Sequence, residues 1–497
     1  MGKRIGWLGV FLVLCFAALF VQLNNVQVVK AKQESNNPHN PRIEIQRYAQ
    51  PHGLIEAADG TVLAQSVPSN KPGLYKYTRQ YPQGGLYSQI VGYNSLIYGA
   101  DGVEAFYAKD LASHNAPVKT IRDLLSTHTV TDTVRLTLQP KLQQEARTAL
   151  AGRTGAVVAL DPSTGAILAM YSNPTFDPNP LASLDTTVER QAWTADNTGD
   201  PAHAGLPPLL PITYRDRFAP GSAFKVITTS AAYDHAPSLV DKSYPYLSAI
   251  VPGGPYALGG QTTILQNYGG EVCGGTIRTM LPPSCDTGYS LLSAGIGSAS
   301  MYAEATAFGF DQQPPIDLPH DRYEISMFPT PAQVHGAQIF LAFSSIGQKY
   351  TQASPLQMAM VAGAIADGGV TMTPHVMADV HDSQGNLVQR YVPTPWLTST
   401  SAATAKAVNG LMQHVVSDSN GTAFGIFNPA DHVAAKTGTA QVGVGNTATT
   451  DWMIAFAPAD APKIALAVVM PDQPGTQTGA GVAGPVVRSM IQAVLGQ

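Results

Sequence analysis

The chain has little charge and few cysteines for its size. Only 13% of its 497 residues are charged, and the 29 Lys and Arg against 34 Asp and Glu leave a net charge of -5. No Lys- or Arg-rich run breaks that balance, so nothing offers a phosphate backbone an electropositive track, and nucleic acid is not an expected partner. Three cysteines are too few for a disulfide-built scaffold. Neither a Cys-x-x-Cys nor a His-Glu-x-x-His pattern occurs, so no metal site is signalled, and no metal or organic cofactor is expected. A Gly-x-Ser-x-Gly nucleophile turn is missing too. The 12 histidines, among them His203 and His414, are scattered without the partners of a catalytic triad. No internal repeat is found.

What is present is an ordinary globular composition, 44% hydrophobic, with 46 Gly and 38 Pro that imply many turns. Its length allows two or three domains. One long apolar run stands at the start, where Lys3 and Arg4 precede Ile5 to Leu23, interrupted only by Gly and Gln22. A helix of that length nearly crosses the ~30 Å hydrocarbon layer. A cleavable signal has a shorter apolar core of about 7 to 15 residues, so a retained single-pass anchor over residues 1–24 is favoured, although Val29-Lys30-Ala31 resembles a cleavage site. The leading basic pair places the N-terminus in the cytoplasm, with Lys30 and Lys32 weakening the asymmetry. The remainder is then expected outside the cell membrane. There Cys273 and Cys285 either pair, closing a loop that the chain-entropy estimate credits with ~3 kcal/mol, or remain two thiols. Pairing is favoured.

Gln33 to Pro41 reads as a polar linker. A turn-rich, Tyr-rich first module follows, within a non-catalytic region placed at residues 25–150. Thr133 to Leu138 alternates like a strand and Gln139 to Leu150 has helical spacing, so this pair is expected to lead into the main domain. From there to residue 497 the expected class is α+β. Ala156 to Leu160 and Ala166 to Tyr171 flank the turn Asp161-Pro-Ser-Thr-Gly165 as a hairpin. Trp452 to Ala457 and Lys463 to Met470 form a second strand pair, and Gly484 to Leu495 is expected to be a helix. Helical stretches such as Ala223 to Tyr233 and Ser354 to Ala366 lie between, so the antiparallel sheet closes only when the C-terminus returns.

Three short patterns carry chemistry. Ser222-Ala-Phe-Lys225 places a hydroxyl and an amine three residues apart, on one face of a helix expected to open near Ser222. A serine is a weak nucleophile without such a base, and the helix N-terminus offers N–H groups to an oxyanion. No other lysine has a serine three residues before it. Lys436-Thr437-Gly438-Thr439, in a strand-like stretch, brings positive charge, a hydroxyl for a carboxylate, and a glycine that lets a substrate backbone come close. In Ser284-Cys285-Asp286 the serine could relay a proton between the two lysines, although Ser-x-Asp alone is usually a turn. Gly479-Ala-Gly481-Val-Ala-Gly484 matches a dinucleotide loop placed before a helix. The chain then ends without a second strand or an acidic ribose partner, so helix packing explains these glycines better.

Taken in order, Ser-x-x-Lys, Ser-x-Asp and Lys-Thr-Gly resemble the motif set of class A β-lactamases and penicillin-binding proteins. The chain resembles class B penicillin-binding proteins most, in particular the actinobacterial PbpA group. The likeness extends to the anchor, the first module, Gly155 to Met170, Phe218-Ala-Pro-Gly-Ser222, Lys436 to Gln441 and Trp452 to Pro458. It implies a β-lactamase/transpeptidase-like domain that crosslinks peptidoglycan stem peptides ending in D-Ala-D-Ala and is acylated by β-lactams. It also implies a SEDS-type glycan polymerase as membrane partner. By the same likeness Ser222 is the nucleophile and Lys225 the base, with Lys436 and burial lowering its pKa. Ser284 relays the proton, Thr437 and Thr439 hold the terminal carboxylate, and the N–H groups of Ser222 and Thr439 form the oxyanion hole. The family usually has Asn where this chain has Asp286. That carboxyl cannot donate unless protonated, and as an anion it favours a charged Lys225. A D,D-carboxypeptidase would differ only in using water as acceptor, and a weakly active or silent scaffold is the reading that Asp286 keeps open. A β-lactamase is disfavoured, since no Glu is placed to activate a water.

Overall fold

In a computed structural model the described residues are 2–25, 48–70, 73, 75–115, 129–251, 257–258, 261–262, 264–334, 338–442 and 447–496, so the linker over 33–41 and the cleavage-like Val29-Lys30-Ala31 lie outside them. The N-terminal helix spans Gly2–Asn24, and its Gly6–Asn24 stretch has a mean hydropathy of 2.3 with none of it covered by the rest of the chain. By length and composition it can cross a bilayer.

A five-stranded antiparallel sheet forms the larger core. Its order runs Ile167–Asn173, Gly155–Leu160, Ile464–Pro474, Ala448–Ala457, Ala434–Val442. The first two strands are buried nearly throughout because helices cover both faces. Pro355–Ala366 packs on one face. Pro140–Leu150 and Gly479–Leu495, which also touch each other, pack on the opposite one. Both Pro140 and Pro355 stand in the first turn, where the missing N–H costs nothing, and Ser354 caps its helix by accepting from Gln357 N at 3.2 Å. The α+β class and the returning C-terminal strands are as the sequence indicates. Two details differ. The last helix begins at Gly479, since Thr478 caps it by accepting from Gly481 N, so the dinucleotide-like glycines lie inside the helix. A Cβ on Gly479 would come within 2.1 Å of Trp452 O and 2.4 Å of Gly438 O, which is the close packing that excludes a larger residue.

The second difference lies in the other sheet, built of six shorter strands. Its order is Leu387–Arg390, Met377–His381, Thr133–Leu136, Ile55–Glu56, Val62–Pro68, Tyr77–Gln80. Thr133–Leu136 therefore does more than lead onward. It pairs in parallel with Ile55–Glu56 and antiparallel with Met377–His381, joining early and late chain in one sheet. Asp317 fastens that junction: its carboxylate accepts from Tyr107 Oη at 2.6 Å and from the backbone N–H groups of Val376 and Met377 at 2.7 and 2.9 Å. Nearby, Arg215 forks onto Asp101 at 2.6 and 2.5 Å. Asp317→Ala strips three buried donors of their acceptor and is expected to cost about 2 to 5 kcal/mol in denaturant unfolding, whereas Tyr107→Phe should cost about 1 kcal/mol.

Candidate active site

Ser222 lies on a 3₁₀ turn, Gly221–Phe224, that runs directly into the α-helix Lys225–His235. The helix expected to open near Ser222 does so through this turn, its α-helical part starting three residues on. A 3₁₀ turn has three residues per turn, so residues i and i+3 eclipse, and Lys225 Nζ stands 3.0 Å from Ser222 Oγ. The turn is held against the edge strand Ala434–Val442 by contacts that leave no room. Gly221 has φ +54, and a Cβ on it would lie 2.8 to 2.9 Å from backbone atoms of Thr439. Trp452, fully buried on the neighbouring strand, donates its indole N–H to Ala219 O at 2.9 Å and packs edge-on to Phe218. Gly438 admits the chain's own backbone at close range, because a Cβ there would sit 2.3 Å from Pro220 O.

Ser284 follows the short helix Ile277–Met280 and adopts φ +65, the left-handed region that is unusual for a residue with a Cβ. In that conformation its carbonyl accepts from Lys225 Nζ at 2.6 Å, while its hydroxyl lies 3.2 Å from Lys225 Nζ and 2.9 Å from Lys436 Nζ. Asp286 opens the helix Asp286–Ile296, and its Oδ1 pairs with Lys225 Nζ at 2.6 Å. Lys436 also donates to Thr437 O at 3.0 Å. Both lysines are fully buried. Burial pulls the Lys225 amine below its ordinary range, with Asp286 opposing through charge and hydrogen bond. Lys436 is held well below its ordinary value, first by burial and then by the charge of Lys225, Asp286 again opposing.

The partners of Lys225 outnumber its protons. An ammonium has three hydrogens. Ser284 O and Asp286 Oδ1 can only accept, whereas the hydroxyls of Ser222 and Ser284 can also donate. A neutral Lys225 can give its two hydrogens to Ser284 O and Asp286 Oδ1 and take the Ser222 proton on its lone pair, with Ser284 Oγ left to the Lys436 amine. The arrangement is that of a serine poised beside its base.

Ser222, Ser284 and Asp286 line an open cleft of about 1000 Å³. Thr437 and Thr439 line it too; the Thr437 hydroxyl meets that of Thr422 at 2.7 Å, and Thr439 Oγ1 accepts from Gly479 N at 3.1 Å. The segment from Ile264 to Glu271 also borders the cleft. Two ties hold this segment to the second motif. Cys273 and Cys285 form a disulfide, so the middle residue of Ser-x-Asp is covalently tethered. Asn267, nearly buried, accepts from Thr287 N at 2.8 Å and donates to Leu247 O and Glu271 O, both at 2.7 Å. Sequence reasoning did not find Asn267, Thr422 or Tyr289, whose ring lies 5.3 Å from Lys225 Nζ. Each sits among residues with no motif around it.

Fold and cleft together define a serine–lysine acyl-enzyme. The family described as the penicillin binding protein transpeptidase domain matches residues 155–492, and that described as the penicillin binding protein A dimerisation domain matches 52–133. The peptidoglycan D,D-transpeptidase PbpA of Mycobacterium tuberculosis is 32% identical over 500 residues, covering 96% of each chain. That of Mycolicibacterium smegmatis is 32% identical, covering 100% of this chain and 99% of its own. The solved ceftriaxone acyl-enzyme complex of penicillin-binding protein A from M. tuberculosis superposes with a TM-score of 0.78 at 31% identity, covering 91% of this chain and 100% of that one. The chain belongs to the penicillin-binding protein transpeptidases, class B.

Replacing Cys273 and Cys285 together by Ser should lower the unfolding free energy by about 3 kcal/mol on the chain-entropy estimate. Denaturant melts of oxidised protein, reduced protein and the double variant would check it, the last two being expected to coincide.

Proposed function

We infer that the chain is a peptidoglycan D,D-transpeptidase that works through an acyl-enzyme at Ser222 and is acylated there by β-lactams. The observation that carries this reading is the unbroken line Ser222, Lys225, Ser284, Lys436, in which each successive pair of hydroxyl and amine lies within 3.2 Å. The near full-length likeness to two transpeptidases supports the substrate, stem peptides ending in D-Ala-D-Ala.

In the proposed reaction Ser222 Oγ attacks the carbonyl of the penultimate D-Ala while neutral Lys225 takes its proton. The backbone N–H groups of Ser222 and Thr439 receive the oxyanion, a pairing supported by the close approach of Gly221 to the Thr439 backbone. The C–N bond then breaks. Ser284 gives its proton to the departing amine of the terminal D-Ala and is reprotonated from the lysines on either side. An amine from a neighbouring stem attacks the ester by the reverse path, and its lost proton returns to Ser222. Thr437 and Thr439 would hold the terminal carboxylate. We place the anchor at residues 1–24, a non-catalytic module at 25–150 and the transpeptidase domain at 151–497, with everything beyond the anchor outside the cytoplasmic membrane. A SEDS-type glycan polymerase in the same membrane would supply the strands, a partner supported by the family likeness alone.

Asp286 gives a second reading its one support, that of a weakly active scaffold, because its charge opposes a neutral Lys225. Fluorescent penicillin separates the two. Wild type should label and Ser222→Ala should not, with Lys225→Ala slowed about 10²- to 10⁴-fold; no label on the wild type would favour the scaffold.

The sign of the Asp286 effect is also testable. Asp286 holds the Lys225 pKa up against burial, so acylation should rise with pH as Lys225 loses its proton. In Asp286→Asn that upward pull is gone, and the rising limb of the acylation rate should move to lower pH by about one to three units. A limb that stays in place would separate Asp286 from the protonation of Lys225.

A further inference from the structure

Directly opposite Thr439 in the strand ladder stands Asp451, a residue no motif marks. It is fully buried between the edge strand and Ile464–Pro474, where it faces Met470. Its Oδ2 accepts from Thr449 Oγ1 at 3.3 Å, and among the described residues its Oδ1 meets no donor at bonding geometry. Burial raises its pKa to about 6, with the hydroxyls of Thr449 and Thr439 pulling the other way. The charged side chains on the strands and helix packed around it are Lys436, Asp472 and Arg488, and none of them contributes to that shift.

The Thr439 hydroxyl thus stands between three neighbours. Its oxygen accepts from Gly479 N at the start of the last helix, Asp451 with its unpartnered Oδ1 lies directly across the ladder, and the open cleft lies beside it. A hydroxyl has only one hydrogen to give. An ionised Asp451 draws it inward and sets a negative charge behind the place where a carboxylate is to bind. A protonated Asp451 does neither, and leaves the hydrogen for the cleft.

We propose that Asp451 is a positioning residue that acts through Thr439 to set how well the cleft receives the carboxylate of the acyl donor, favourably when protonated and unfavourably when ionised. The proposal rests on the reading of Thr439 as a carboxylate holder and adds a pH dependence of donor recognition that is separate from the general base.

The test uses the full-length protein in detergent and a fluorescent penicillin, which bears a carboxylate. Second-order labelling rates are measured from about pH 5 to 8.5 for wild type and Asp451→Asn. Titration of Lys225 and Lys436 is common to both proteins and cancels in the ratio. The rate of the variant over that of wild type should be close to one at the acid end and rise to roughly threefold or more at the alkaline end, turning over where Asp451 titrates, at about 6. In Thr439→Val, with and without Asp451→Asn, the ratio should be flat. A flat ratio with Thr439 intact overturns the proposal, as does a step that survives Thr439→Val. Should Asp451→Asn fail to fold, Asp451→Ser is put to the same comparison, and Thr439→Val alone must abolish the step in an otherwise wild-type protein. An unlabelled wild type at every pH would instead sink the acyl-enzyme reading itself, and this proposal with it.

Discussion

Two amines buried beside one carboxylate are the constraint on which this site depends. Lys225 and Lys436 are both removed from water, and both reach toward Ser284, with only Asp286 to offset their charge. Two full positive charges so enclosed would be costly, since desolvation and mutual repulsion act in the same direction. The penalty falls hardest on Lys436, which burial and the charge of Lys225 both pull down, while Lys225 is pulled down by burial against Asp286, so the backbone that enforces the packing governs the protonation of both amines.

That enforcement is carried by residues with little chemistry of their own. Gly221 and Gly438 let the Ser222 turn and the Lys-Thr-Gly strand touch backbone to backbone, and Trp452 fastens the turn from the next strand. The left-handed Ser284 turns its carbonyl toward Lys225. On the other side of the cleft, Asn267 and the Cys273–Cys285 bridge hold the second motif to the bordering segment. Segments more than two hundred residues apart in the chain thereby converge on one hydroxyl.

Much of this was legible in the sequence because short-range chemistry leaves short-range marks. Ser-x-x-Lys and Lys-Thr-Gly are compact, and continuous apolar runs such as Gly155–Leu160 announce a strand covered on both faces. Contacts between distant segments were less visible. Nothing near Asn267 or Thr422 says which backbone group or hydroxyl each will meet. The strands Met377–His381 and Leu387–Arg390 carry no sign that they complete a sheet begun at Ile55. Gly438 marks a point of close approach, but a glycine in a sequence does not say that the chain's own Pro220 is among what approaches. At Ser222 the distinction between a 3₁₀ turn and an α-helix start depends on the Gly221 contact, which is tertiary.

Asp286 shows how the same constraint can be met in a different way. An amide in its place would accept from Lys225 without adding charge, and burial would then lower the amine unopposed. A carboxylate opposes that lowering while keeping an acceptor in the same place, so that Ser284 O and Asp286 Oδ1 can take the two hydrogens of a neutral lysine and Ser222 can fill its lone pair. The carboxylate therefore orients the base and raises its proton affinity at once. A stronger base is less often free but accepts the serine proton more readily when it is. The substitution thus trades population against driving force within an unchanged geometry.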